Sequence, residues 1–593
     1  MAAVKVDSIF NLLSFNWLTG PIFDKELRVS SRRKRNYAVR FAYIALLTIT
    51  MVLIWIEEVR FYGNISYRIS RMARAGIHIT MFIAWFQFVA AQIIAGVMLS
   101  TSISDEIYHK TLGTLMTTPI TSFQIVTGKL LSKLLQTLLL IAISFPLLSV
   151  VRVFGGIPWD YVVSSLCITM STVIFVGSLS MFYSIFTRRA YVSIILTILT
   201  LAAVFLLVPV TVLIIGVLTN IHVNEKEFFS FFAHANPYIT MTINTVLMES
   251  PRGLRGYFFN WPLACGVMLA GSAVLVSFSV ALVRKVALRQ ATGQPDIFSG
   301  KRNKKANKDA DMPKISSIRR VTFSPVLWKE TCSPLFGKRK ILFIIAILLS
   351  VLIILGFYAV AAHENALDDE DFHVVMAIIF FSVGLLFTII LPANCITSEK
   401  ESRSWHLLLA TTLTEWQIVF GKIAGAFRRC FPSWCYLFAH IIIFTLFGFI
   451  HPLGLLQTII IVFGVGALLT GSGLYFSTVF KRTTTAVIVN FIFAAVLWAG
   501  IPFFTAMVSV IGRFHDFGDF VEVYCNSIPY VQAAVSMDMT ANGFNNLTSG
   551  HWLDGSSSVM VSTMLMVLFA AINSGLGLLF AWRAKCRFRT KIF

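Results

Sequence analysis

The chain has 593 residues, of which 57% are hydrophobic and only 13% charged, with a mean hydropathy of +0.78. So few charged groups cannot cover the surface of a soluble globular domain of this size, which excludes that class. The formal net charge of +21 invites a nucleic-acid reading, but the distribution argues against it. With the N-terminus in the cytoplasm, most of the 49 Lys and Arg fall on the cytoplasmic side, the positive-inside asymmetry of a membrane protein.

A membrane-spanning helix needs about 20 apolar residues, and the sequence carries twelve such runs. The first six lie near 41–57, 77–103, 130–151, 161–186, 190–218 and 258–283. The second six lie near 341–362, 372–396, 423–450, 453–480, 484–511 and 557–582. The fold class this predicts is an all-α polytopic membrane protein with 12 transmembrane helices.

In chain order, residues 8–35 come first. Ile9, Phe10, Leu12, Leu13 and Leu18 give one face of a helix lying on the membrane, with Trp17 at headgroup depth. No cleavable signal peptide is expected here, because no long apolar core or small-residue cleavage site follows. Pro21, Lys25 and Glu26 then form a Pro-x-x-x-Lys-Glu string, with the proline suited to the first position of a helix. The basic run Arg32-Arg33-Lys34-Arg35 halts at the anionic leaflet and pins the first span. One loop runs against the orientation: 59–76 puts Arg60, Arg68, Arg71 and Arg74 on the outside.

Between the second and third apolar runs lies Ser104 to Lys133, SDEIYHKTLGTLMTTPITSFQIVTGKLLSK. It recurs at Thr397 to Ala426 as TSEKESRSWHLLLATTLTEWQIVFGKIAGA. Glu106 answers Glu399, Lys110 answers Arg403, Gln124 answers Gln417, and Gly128-Lys129 answers Gly421-Lys422. Three more landmarks repeat: Gly177–Arg188 with Gly471–Arg482, Pro237-Tyr238 with Pro529-Tyr530, and the opening string with Pro325, Lys329 and Glu330. The chain is therefore one unit written twice. Six spans is an even number, so both copies enter the membrane in the same orientation, as tandem parallel six-helix repeats about an axis along the membrane normal. The predicted divisions are a first half at 1–283, a basic cytoplasmic linker at 284–324 and a second half at 325–593. Lys301 to Lys308 reads as a flexible stretch near anionic lipid. The largest outer loops, 219–257 and 512–556, carry the Pro-Tyr pairs and are expected to dip towards the membrane edge.

The candidate chemistry is sparse. The eight cysteines form no C-x-x-C pair and imply neither zinc nor a disulfide framework. The acidic stretch His363 to Asp371 reads as a solvated loop rather than a metal site. No G-x-x-x-x-G-K-[ST] phosphate loop is present: the Gly-Lys pairs at 128, 300, 337 and 421 lack both the earlier glycine and the following Ser or Thr. The chain is thus not expected to hydrolyse ATP. The spans are nearly free of ionisable groups, which counts against an ion-coupled carrier. Arg428 and Arg429 are placed to snorkel, and His440 reads as a structural histidine. What polar chemistry there is gathers in the two repeated segments. Glu106 and Lys110, and Glu399 and Arg403, stand four apart, the favoured helical pairing, on short surface helices suited to docking a cytoplasmic partner.

At these residues the sequence resembles ABC-2 type permeases. Glu, then Lys or Arg, then Thr-Thr-Pro, Gln-Ile-Val and Gly-Lys looks like the coupling-helix region of that family, and Pro-x-x-x-Lys-Glu looks like its amphipathic opening segment. The resemblance covers nearly the whole chain, twice. It implies a non-enzymatic transport subunit, usually an exporter, served by separate ABC ATPase subunits, two per chain, that bind ATP and Mg. Glu106, Lys110, Gln124, Gly128 and Lys129 would form the first coupling region (104–129). Glu399, Arg403, Gln417, Gly421 and Lys422 would form the second (397–422), where Pro119 becomes Thr412 and His109 becomes Ser402. Pro237, Tyr238, Pro529 and Tyr530 would flank an outer gate. The location it suggests is a bacterial inner membrane, with both termini cytoplasmic, lipid as the other partner and no nucleic acid. Two other readings stand beside it: an ion-coupled secondary carrier, and an ATPase-linked subunit that regulates another complex without transport.

Overall fold

A computed structural model describes residues 16–32, 34–59, 65–109, 111–152, 157–187, 190–209, 211–212, 225–249, 259–291, 324–332, 340–363, 365, 367, 369–502, 504–505, 523–541 and 559–588. The predicted apolar face at Ile9 to Leu13, the Lys110 side of the first ion pair, and linker residues 292–323 lie outside the described residues. The chain separates into two compact units, Met1–Asp309 and Ala310–Phe593.

Unit 1 is built from α1 (Asn16–Ser31), α2 (Lys34–Val59), α3 (Ile65–Ser100), the short α4 (Ser104–His109) and α5 (Leu112–Met116), α6 (Ser122–Arg152), α7 (Trp159–Phe186), α8 (Ala190–Ala202), α9 (Glu225–Ala235), α10 (Pro237–Glu249) and α11 (Trp261–Ala291). Unit 2 repeats this order, with no counterpart of α9 among the described residues, as α12 (Pro325–Cys332), α13 (Lys340–His363), α14 (Glu370–Ala393), α15 (Thr397–Glu401), α16 (Trp405–Leu409), α17 (Glu415–Leu446), α18 (Pro452–Val479), α19 (Thr483–Ala495), α20 (Pro529–Ala541) and α21 (Val559–Arg587). No strand occurs among the described residues. All-helical architecture is what a lipid solvent demands, since every backbone donor and acceptor must be satisfied within the chain.

Among the described residues nine helical stretches are long and apolar enough to cross a membrane. Three of the predicted runs are shorter apolar helices: Arg40–Ile56, Tyr191–Leu206 and Ser350–His363. Each of the twelve apolar runs falls on one of these twelve stretches. The loop predicted at 59–76 is a correction: α3 already begins at Ile65, so Arg68, Arg71 and Arg74 sit on its first turns rather than in a loop.

Two features stand out, the first in both bundles and the second in unit 2. First, α8 and α19 each run into a π-helical turn, Ala203–Leu207 and Val496–Gly500, at matching places in the two copies. Such a turn breaks the regular i to i−4 ladder and leaves a carbonyl free for an outside donor. Second, α18 and α21 touch backbone to backbone. A Cβ on Gly471 would stand 2.1 Å from Gly577 O, and one on Gly577 would stand 2.3 Å from Ala467 O. Small residues permit this closeness, which is how helices gain contact where lipid removes the usual hydrophobic drive. The core of unit 2 lies between α14, α17, α18 and α20, around Phe381, Trp434, Leu437 and Ile441. One core of unit 1 gathers on Phe88, Ile83, Leu148, Tyr161 and Met241.

Candidate functional site

The repeated polar segments are built alike from local rules. Each helix that follows one is started by a reciprocal capping box. In unit 1 the Gln124 N–H donates to Thr121 Oγ1 (3.2 Å) and the Thr121 N–H donates to Gln124 Oε1 (3.2 Å). In unit 2 the Gln417 N–H donates to Thr414 Oγ1 (3.4 Å) and the Thr414 N–H to Gln417 Oε1 (3.1 Å). Two orphan donors at each helix start are thereby satisfied. Thr-x-x-Gln is a legible sequence signature, and it accounts for Gln124 and Gln417 without a partner protein.

The short helix α15 ends in a Schellman turn. The Ser404 N–H donates to Glu399 O (3.0 Å) and the Arg403 N–H to Lys400 O (3.1 Å), with Arg403 left-handed at φ 56°. In unit 1 the Thr111 N–H reaches Glu106 O (3.0 Å) in the same way. The predicted i,i+4 pairing of Glu399 with Arg403 therefore does not form. The helix stops at Glu401, so Arg403 leaves its face and is exposed. Glu106 finds other partners, and Lys110 lies outside the described residues.

Those partners come from the Gly-Lys pair. Lys422, with 3% of its side chain exposed, places Nζ 2.6 Å from Glu399 Oε1 and 2.7 Å from Glu330 Oε1. Lys329 Nζ stands 3.4 Å from Glu399, Arg429 pairs with the other oxygen of Glu330, and Arg428 donates to Glu330 O (2.8 Å). Arg428 and Arg429 thus hold the opening helix instead of snorkelling. In unit 1 Lys129 Nζ lies 2.8 Å from Glu106 Oε1 and donates to Ser102 O (2.9 Å), but Glu26 turns to Lys133 at 3.8 Å. Burial alone would raise the Glu330 carboxyl; Lys422, Arg429 and Lys329 outweigh it and hold it below the usual carboxylate value.

Glycines let the opening helices come this close. A Cβ on Gly425 would meet Glu330 Cβ at 2.7 Å, and one on Gly421 would meet Val326 Cγ1 at 2.9 Å. Pro325 is the first residue of α12, as predicted from its string. Pro21 follows a break at Gly20 (φ 60°, ψ 178°), whose left-handed turn lies against Gln124. Lys25 and Glu26 sit on the helix beyond that break. Gly128 is buried beside Lys129.

Sequence reasoning passed over Lys400 and Glu401. Lys400 Nζ donates to Ser477 O (2.9 Å), Phe480 O (3.2 Å) and Thr478 O, at the C-terminal end of α18. Glu401 Oε1 accepts the Thr483 N–H (2.7 Å) at the start of α19. Burial, with the nearby Lys481, pulls the Lys400 ammonium down to about 8. The helix-end preferences of cation and anion were visible in the sequence; their partners, some 80 residues on, were not.

At the opposite end of each bundle, Pro237 and Pro529 begin helices too short to span a membrane. Tyr238 Oη donates to Gln92 Oε1 (2.7 Å), and Tyr530 packs edge-on to Phe381 at 5.4 Å. Ser164 donates to Asn244 Oδ1 (2.9 Å), and Ser536 to Gln457 Oε1 (2.8 Å). Both helices are thus sunk into their bundles. His440, read as structural, receives or gives a hydrogen bond with Tyr358 Oη (2.8 Å) and lies 5.5 Å ring to ring from His373. Among the described residues no group of three or more His, Cys, Asp or Glu is placed to hold a metal.

The buried ion pairs leave distinct outward tips. Thr114, Thr117, Thr118 and Pro119 are exposed in unit 1; His406, Leu407, Thr411 and Thr412 are exposed in unit 2, Leu407 by 73%. Residues 21–359 match the family described as ABC-2 family transporter protein, and residues 368–579 match a second family of the same description. The chain belongs to the ABC-2 transporter family. Two ABC-2 domains cover it in tandem, as in a fused two-half permease, and it is an integral membrane subunit of an ABC transporter. No match was found among curated proteins. ABC-2 domains are transport components rather than catalysts, and the family works with ABC ATPases.

Proposed function

We propose that this ABC-2 chain is an export permease driven by two cytoplasmic ABC ATPases that dock on residues 104–121 and 397–414. The supporting observation is the division of labour within each segment. Glu106 with Lys129, and Glu399 with Lys422, turn inward and fix the segment to the bundle, while the tips at Thr117-Thr118 and His406-Leu407 stand clear. In this reading the repeated residues Glu106, Lys110, Gln124, Gly128 and Lys129, and Glu399, Arg403, Gln417, Gly421 and Lys422, form the mechanical part of the coupling. The ATPases bind ATP and Mg, close on one another, and push the tips; the ion pairs pass that displacement to α3 and α6, and to α14 and α17.

In this reading the helices at Pro237-Tyr238 and Pro529-Tyr530 serve as the outer gate, and the docking segments and both termini face the cytoplasm of a bacterial inner membrane. Co-purification in detergent tests the reading. The wild-type chain should carry two ATPases, and Thr118→Glu with Leu407→Glu should strip them, because neither residue belongs to the buried ion pairs. No ATPase on the wild-type chain would sink the proposal and favour an ion-coupled carrier.

A further inference from the structure

We propose that α19 is a lever that carries movement of the second polar segment to the far end of unit 2, with Lys400 and Glu401 as positioning residues at its near end. The inference rests on the docking reading for the source of that movement.

The near end is gripped from one short helix. Lys400 takes the last carbonyls of α18 and Glu401 takes the first N–H of α19, so the link at residues 480–482 is clasped between adjacent residues of α15. The order suits the chemistry: a helix C-terminus offers carbonyls to a cation, and the following N-terminus offers N–H groups to an anion. Glu399, the residue before them, is tied to Lys422 and Lys329. Displacing α15 therefore displaces the start of α19.

The pivot is Asn490, which is fully buried. Its Nδ2 donates to Ile389 O on α14 (2.8 Å), and its Oδ1 accepts from Ser472 on α18 (2.8 Å). Asn490 lies midway in sequence between Thr483 and Leu497. Beyond it comes the π-helical turn, where Leu497 O accepts from Tyr524 Oη (2.9 Å). Tyr524 O in turn accepts the Ser527 N–H (2.9 Å) in the turn that starts α20. Grip, pivot and far contact thus lie on one helix.

Among the described residues unit 1 has the far contact, but neither the paired grip nor the asparagine, and its α8 is tied to α7 by Ser193 donating to Ser180 O (2.9 Å). Asn236 Nδ2 donates to Phe205 O (2.6 Å) in its own π-helical turn. The residues after Glu106, however, are Ile107 and Tyr108, neither an ammonium nor a carboxylate. Asn490 is replaced by Thr197, whose hydroxyl donates to Ser193 O (2.8 Å) on its own helix. The lever belongs to the second half, and the two halves transmit unequally.

Amide hydrogen exchange on the full chain in lipid nanodiscs tests this. Two variants release the grip from opposite sides: Lys400→Met with Glu401→Leu, and Thr483→Pro. The latter removes the N–H that Glu401 accepts, at a first helical position that tolerates proline after an already extended Arg482 (φ −109°, ψ 135°). Both variants should speed exchange at 480–486 and also at 523–541, leaving 237–249 unchanged, and Lys400→Arg should restore the wild-type pattern. A change confined to 397–403 and 480–486 would overturn the lever. If the double variant does not fold, Thr483→Pro decides alone. Bound ATPase is counted in the same preparations: its absence from the wild-type chain overturns the docking reading, while the exchange pattern still decides whether α19 transmits.

Discussion

Lys422 and Glu399 are 23 residues apart, and they meet at 2.6 Å in the interior of unit 2 with Glu330 closing on the same ammonium from a third helix. One cation thereby joins the opening helix α12, the short helix α15 and the long helix α17. Removing one partner of a buried ion pair costs about 3–5 kcal/mol, because the remaining charge stays buried without compensation. Lys422→Met should destabilise the detergent-solubilised chain by that order, read as a lowered unfolding midpoint. Lys129→Met should cost less, since Glu106 keeps 26% of its side chain exposed to water. Equal losses would mean the two copies are held alike.

Acid should loosen unit 2 through Glu330. Its folded value lies below its usual 4.5, so its contribution is fully present above that value and is lost as pH falls through the lower, folded one. A melting series down the acid limb should show wild type losing stability faster than Glu330→Gln.

Lys400 has the opposite sign. Its ammonium sits at about 8 in the folded chain against 10.5 in free solution, so the unfolded chain holds more protons between those values and stability rises with pH across that window. Lys400→Met should abolish the rise, and the comparison is one of slopes rather than of absolute melting temperatures.

Arg403 occupies a left-handed position that a non-glycine side chain adopts at a cost of about 1–2 kcal/mol. Arg403→Gly should therefore stabilise unit 2 by about 1 kcal/mol, seen as a raised denaturation midpoint. A lowered midpoint would show that the Arg403 side chain makes a contact worth more than the strain.

Gly425 faces Glu330 Cβ at a distance that leaves no room for a methyl group. Gly425→Ala should destabilise by about 1–3 kcal/mol and push α12 off α17, which a distance measurement between spin labels on those two helices would detect.

The sequence made the apolar runs and the duplication plain, because span length and repeated motifs are local properties. It showed Glu399 and Lys422 as repeated residues but misassigned the partner of Glu399: the four-residue spacing suggested Arg403, and nothing in spacing alone announces that a Schellman turn ends the helix first. The Thr-x-x-Gln signature at Thr121 and Thr414 was readable as a cap, a role the sequence reading did not give the glutamines. The π-helical turns left no trace in composition. Gly177 and Gly471 matched as landmarks, but Gly177 abuts Leu99 and Leu134 while Gly471 abuts the backbone of Gly577. Identical residues meet different neighbours once two copies have been repacked separately.

The three-way contact at Lys422 also bears on how the chain is made. Glu330 leaves the ribosome 92 residues before Lys422, so its carboxylate meets neither Lys422 nor Arg429 until two further spans have been synthesised. The ion cluster can close only once α17 is delivered, while α18 to α21 are still to be made.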